Sequence, residues 1–158
     1  MAVDLGAYAA EFDTVYVSLY KYLGAPFGAV LAGSKADVAE ARELRHLYGG
    51  ALYQAWMPAL LASDALSTFP RDIAEAHARA SQLVDALVAS GKVRDISHSD
   101  ASNIRHLAMA QDFAEAAFER GRQAGVRIGR WKDGNIPLFV NTTLLRRPVE
   151  EYVALFLG

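Results

Sequence analysis

Hydrophobic and polar positions change period several times along the chain. Residues 12–20 (FDTVYVSLY) are rich in Val, Tyr, Phe and Thr and read as a strand. Lys21, Gly24, Ala25 and Pro26 end that run, and a second apolar run from Phe27 to Ala32 follows within a few residues. The spacing predicts two nearly adjacent antiparallel strands with Lys21 in their connection. A short helix or turn over residues 4–11 leads into the first strand, with Tyr8 and Phe12 packed on it. Ser34 reads as an N-cap with Asp37 in the first turn. An apolar stripe at Val38, Ala41, Leu44, Leu47 and Tyr48 carries that helix over 35–48, and Gly49-Gly50 breaks it.

Residues 51–67 are apolar nearly all round, which predicts a helix buried on most sides and kinked at Pro58. Thr68 to Asp72 reads as a new cap with Pro70 near the first turn. A separate amphipathic helix is expected over 71–90, striped by Ile73, Ala76, Ala80, Leu83, Val84 and Leu87 and stopped by Gly91. Beyond it, residues 92–97 and 104–110 read as short strands around a polar loop, 98–103. Residues 111–124 read as a helix with Phe113, Ala116, Ala117 and Phe118 inward. Residues 126–131 and 138–144 read as strands joined by a turn at 132–135, and Pro148 opens a final helix. These elements predict an α/β fold, helices packed on a small, mostly antiparallel sheet. The expected organisation is a first region 1–70, a connecting helix 71–90 and a small α/β domain 91–158.

Composition narrows the function more than the fold. The 158 residues are 53% hydrophobic and 22% charged, enough for a substantial core. A net charge of −2 gives no reason to expect nucleic acid or a polybasic membrane surface. No apolar run reaches the roughly 18 residues of a spanning helix. There is no cysteine, which removes disulfides, thiolate metal sites and cysteine nucleophiles and fits a reducing, cytoplasmic setting. His77, His98 and His106 have no metal-ligand spacing, and neither a phosphate-cradling P-loop nor a GxSxG is present.

The informative stretch is Ser18-Leu-Tyr-Lys21, followed by Tyr-Leu-Gly-Ala-Pro and a glycine-led strand. Alone, Ser-x-x-Lys is weak, and most lysines simply reach solvent. Embedded in Gly33-Ser34-Lys35, the Arg42–Arg45 helix and Gly49-Gly50-Ala51-Leu52-Tyr53-Gln54-Ala55, it resembles the lysine segment of the threonine aldolase and β-eliminating lyase family. Those are fold-type-I enzymes that use pyridoxal 5′-phosphate (PLP). The resemblance implies that Lys21 is the Schiff-base lysine and Ser18 a phosphate-binding hydroxyl. It puts His46 near the cofactor phosphate and Arg45 near the substrate. The flanking Tyr20 and Tyr22 would desolvate Lys21 and lower its pKa.

Members of that family are more than twice as long, with the lysine past mid-chain. The resemblance therefore implies the C-terminal part of such an enzyme, lacking the acid for the pyridinium nitrogen and the ring that stacks on the cofactor. Where the family carries a carboxylate-gripping arginine, this chain has Pro137-Leu138-Phe139-Val140-Asn141. Arg127 or Arg130 could take that role, since any reachable guanidinium can pair with a carboxylate. The implied activity is cleavage of a β-hydroxy amino acid to glycine and an aldehyde. The implied partners are a small amino-acid substrate and either a homo-oligomer or a missing N-terminal portion. The alternative is a catalytically silent α/β assembly module.

Overall fold

The computed structural model describes residues 4–98 and 102–158. The chain divides into two compact units, Met1–Phe69 and Pro70–Gly158.

In the first unit, Asp4 caps a short helix α1 (Leu5–Ala9) by accepting from the amides of Gly6 and Ala7. Strand β1 (Thr14–Ser18) pairs antiparallel with β2 (Ala29–Gly33), from Thr14 opposite Gly33 to Ser18 opposite Ala29. The strand is shorter than the pattern of residues 12–20 predicts. Leu19–Tyr22 instead curl into a single helical turn, α2, so that Leu19 and Leu23 reach a small cluster with Ala25, Ala62, Ala65 and Phe69. Ser34 caps α3 (Lys35–Leu47) through the Asp37 amide, as its sequence predicts. The chain leaves α3 through Gly49 at φ 70°.

The expected break near Thr68 is absent. One helix, α4, runs from Trp56 to Ala89, and Pro70 lies inside it. A proline there removes one backbone hydrogen bond. The helix continues because Ile73 to Leu87 carries an unbroken apolar stripe, and burial of that stripe outweighs one lost bond. Pro58 makes no internal break, since it falls in the first turn, where an amide has no helical partner. Residues 51–55 are not helical. The first half of α4 is not the buried helix its composition suggests. Pro58 and Ala62 are buried, whereas Trp56, Met57, Leu60, Leu61 and Leu66 are exposed.

The second unit has a core of its own. Strands β3 (Val93–Asp95), β4 (Ile104–Met109) and β5 (Asn135–Phe139) form an antiparallel sheet in the order β3-β4-β5. Leu107 and Ile136 face each other in register and are fully buried beside Val93, Leu83, Leu87 and Val140. Helix α5 (Gln111–Gln123) buries Ala114, Ala117 and Gly121, while Ala116, expected inward, is exposed. Helix α6 (Val149–Leu157) adds Tyr152 and Phe156, and the Tyr152 hydroxyl donates to the Thr143 carbonyl at 3.0 Å. Part of the polar loop expected at 98–103 lies outside the described residues.

Two strand expectations shift. Residues 126–131 form no strand, and 142–146 form a 3₁₀ turn, not the end of a strand over 138–144. The turn between them is present: Asp133 (φ 51°) and Gly134 (φ 87°) are both left-handed, and Lys132 and Asn135 exchange backbone hydrogen bonds across it.

Candidate functional site

β1 ends at Ser18 and α2 begins at Leu19, so Ser18 and Lys21 share one strand-to-helix corner, three residues apart. The Ser18 hydroxyl makes no capping bond to α2, and the residue is half-buried. Lys21 is exposed and carries neither an ion pair nor a hydrogen bond among the described residues. Among the described residues its tyrosine neighbours leave Lys21 uncovered. Tyr22 turns away to pack on Phe69, ring centroids 6.2 Å apart, and burial raises its phenol pKa. Tyr20 is hydrogen-bonded to Tyr16, which raises the pKa of Tyr16. Both tyrosines thus serve structure around the lysine, and its amine stays free.

Arg45 and His46 occupy the last turn of α3, both exposed. No hydrogen bond or ion pair joins them to Ser18 or Lys21 among the described residues. The amide of Gly50 donates to the Arg45 carbonyl at 2.8 Å, which fixes the glycine turn against the end of α3.

Arg127 and Arg130 belong to the second unit. They flank Ile128 and Gly129 on the extended segment 126–131, which line a broad groove of about 1500 Å³ together with Phe118, Pro137 and Phe139. Three features hold the segment. The Val126 amide donates to the Gly121 carbonyl at 2.7 Å. Gly129 lies so close to β5 that a Cβ there would stand 2.5 Å from the Pro137 carbonyl oxygen. The Trp131 indole donates to the Met109 carbonyl at 3.0 Å. Arg130 lies over the Phe118 ring at 5.2 Å, and Arg127 is exposed with no acid partner among the described residues. Pro137 sits in β5 opposite His106, so the strand itself offers no cation there.

Sequence reasoning missed that Lys132, Arg146 and Arg147 line the same groove. The Arg146-Arg147 doublet was the visible signal. Among the described residues no cluster of His, Cys, Asp or Glu could hold a metal, and no helix is long and apolar enough to cross a membrane.

The α/β fold with antiparallel sheets is shared with threonine aldolase-like, PLP-dependent enzymes. The sequence profile of the beta-eliminating lyases matches residues 1–111, and the chain belongs to that family. A "Probable low-specificity L-threonine aldolase" of Schizosaccharomyces pombe is 39% identical over 55 residues, 35% of this chain and 15% of that protein. A low-specificity L-threonine aldolase of Candida albicans is 30% identical over 83 residues, 52% of this chain and 22% of that protein. A solved Exiguobacterium chain assigned as an aromatic amino acid beta-eliminating lyase/threonine aldolase superposes with a TM-score of 0.71 at 26% identity, over 94% of this chain and 44% of its own. A Listeria monocytogenes chain assigned as an L-allo-threonine aldolase shares the fold, with a TM-score of 0.66 over 93% of this chain and 43% of its own. The chain thus spans under a quarter of the length of these curated relatives and under half of the solved chains.

Proposed function

We propose that this chain supplies the lysine-bearing part of a PLP-dependent carbon–carbon lyase that cleaves a small β-hydroxy amino acid to glycine and an aldehyde. The observation that carries the reading is the uncommitted Lys21 amine, three residues from the uncommitted Ser18 hydroxyl at one strand-to-helix corner, within the residues that match the family. An amine without a carboxylate partner can condense with a carbonyl, and a hydroxyl three residues away can donate to a phosphate oxygen. On that ground these two residues fit PLP. The bound cofactor supplies the electron sink for breaking the carbon–carbon bond.

In this reading Lys21 holds the cofactor covalently and Ser18 donates to its phosphate. His46 and Arg45 add positive charge for the phosphate and the substrate. Arg127 or Arg130 pairs with the substrate carboxylate in place of the arginine absent at Pro137. The active assembly needs further polypeptide, either a second copy or the remainder of a longer lyase, to desolvate Lys21 and to meet the pyridine nitrogen. The cysteine-free composition suits the cytoplasm. Family membership favours this reading over a catalytically silent assembly module.

The test is chemical trapping. The chain is incubated with PLP, reduced with borohydride and mapped by peptide mass spectrometry. Modification is expected at Lys21 in preference to Lys35, Lys92 and Lys132, and its loss in Lys21→Ala should leave those three unlabelled. Labelling of Lys35, Lys92 or Lys132 in preference to Lys21 would refute the assignment.

A further inference from the structure

The groove of the second unit is larger than the chemistry proposed above requires. It encloses about 1500 Å³, whereas pockets for small ligands run to about 300–1,000 Å³. A small amino acid would occupy only part of it. Its lining is of two kinds. Ile128, Ile136, Leu144 and Phe156 belong to the buried core and form an apolar floor, which Phe118 and Phe139 extend. Five cations and one carboxylate, Asp133, line it as well among the described residues.

The cations are not equally free. Arg147 is paired with Glu151 at 3.4 Å, and Lys132 stands 4.0 Å from Asp133. Arg130 lies over the Phe118 ring. Arg127 and Arg146 remain. Both are exposed, and neither guanidinium has a hydrogen bond or an ion pair among the described residues.

These two are carried by pinned backbone. Arg79 on α4 donates to the carbonyls of Leu145 and Arg147, at 3.4 and 3.2 Å, on either side of Arg146. Arg147 in turn donates to the Ala124 carbonyl at 2.8 Å. That bond ties the residue after Arg146 to the chain three residues before Arg127, so the two arginines share one end of the groove. The Val126 amide, bonded to the Gly121 carbonyl, fixes the residue before Arg127.

Ile128 adds a backbone donor. It is buried, yet its amide and carbonyl have no hydrogen-bond partner among the described residues. Buried backbone groups seldom stay unpaired, so a polar atom is wanted beside this residue.

We propose that the groove binds a carboxylate bearing an unbranched apolar tail. Its head lies between Arg127 and Arg146, whose planar forks match carboxylate oxygens, and it accepts from the Ile128 amide. Its tail displaces water from the apolar floor, and affinity grows with each methylene covered. Arg130, stacked on Phe118, is left for the substrate carboxylate of the proposed lyase. The inference uses neither Lys21 nor PLP, so it can fail where the trapping experiment succeeds, and the reverse.

The whole chain, without PLP, is titrated with decanoate by calorimetry at fixed ionic strength, below the concentration at which the acid self-associates. One site per chain is expected. Hexanoate, four methylenes shorter, and decanol, which keeps the tail without the charge, should each bind weaker by about tenfold or more. Arg127→Gln and Arg146→Gln should each weaken decanoate by about tenfold or more. Arg94→Gln, at an exposed position of β3 outside the groove, should not. Decanoate should also slow hydrogen exchange over residues 126–131. Protected β4 amides in both groove variants would report that the unit is still folded. No binding of decanoate, equal binding of hexanoate, or binding untouched by both groove variants would overturn the inference.

Discussion

Arg105 reaches across the β3–β4 ladder and holds the Asp95 carboxylate, which also accepts from the amide and hydroxyl of Ser97. Burial pushes the Asp95 pKa up, but the hydrogen bonds from Ser97 and Arg105 outweigh it, and the net shift is downward. A carboxyl depressed in the folded state contributes stability above the unfolded carboxylate range. That contribution is lost as pH falls through the folded value. Asp95→Asn should therefore cost about 1–3 kcal/mol near neutral pH. The difference from wild type should shrink toward acid, as read by urea midpoints across pH.

Gly129→Ala is expected to destabilise the second unit by about 1–3 kcal/mol, because the added methyl meets the rigid Pro137 carbonyl and not a movable side-chain tip. Thermal unfolding followed at Trp131 checks this. A neutral result would mean that the segment bearing Arg127 and Arg130 is not pinned to β5.

Arg120 donates to the carbonyls of Leu155 and Phe156 at 2.8 and 2.6 Å, satisfying the end of α6 with a charged group. Arg120→Ala should cost about 1.5–3 kcal/mol. Exchange of α6 amides should accelerate before those of the sheet.

For the cofactor, Ser18→Ala should reduce trapping of PLP at limiting concentration several-fold while the label stays on Lys21. In the proposed reading the 158-residue chain alone should cleave L-threonine negligibly, because Lys21 is exposed among the described residues and none of the residues proposed for the site is an acid for the pyridine nitrogen. Glycine release assayed with saturating PLP measures this. Rapid turnover that disappears in Lys21→Ala would contradict the need for further polypeptide.

Much of the local structure was legible because its signals are local. Ser34 with Asp37, the two left-handed residues at Asp133-Gly134, and the alternation through β4 each fix their element within a few positions. What was not legible depends on distant partners. Nothing near Pro70 reveals that the stripe from Ile73 to Leu87 keeps α4 whole. The close approach of Gly129 to Pro137 holds segment 126–131 as an extended strap, although its composition reads as a strand. Apolar composition over 51–67 predicts burial, but burial needs a neighbour, and the described residues of this chain supply few. Ser18 and Lys21 lie three apart in sequence and share one strand-to-helix corner, whereas no bond among the described residues joins Arg45 or His46 to them.

The unequal cores have a consequence in time. The second unit can collapse on Leu83, Leu107 and Ile136 in a first-order step whose rate ignores dilution. The β1–β2 ribbon has no such interior and would become lastingly ordered only on meeting another surface. Refolding of this chain should then show two clocks. The fast one keeps the same half-time at any protein concentration, and the slow one shortens as more of the covering surface, a second copy or further polypeptide, is supplied.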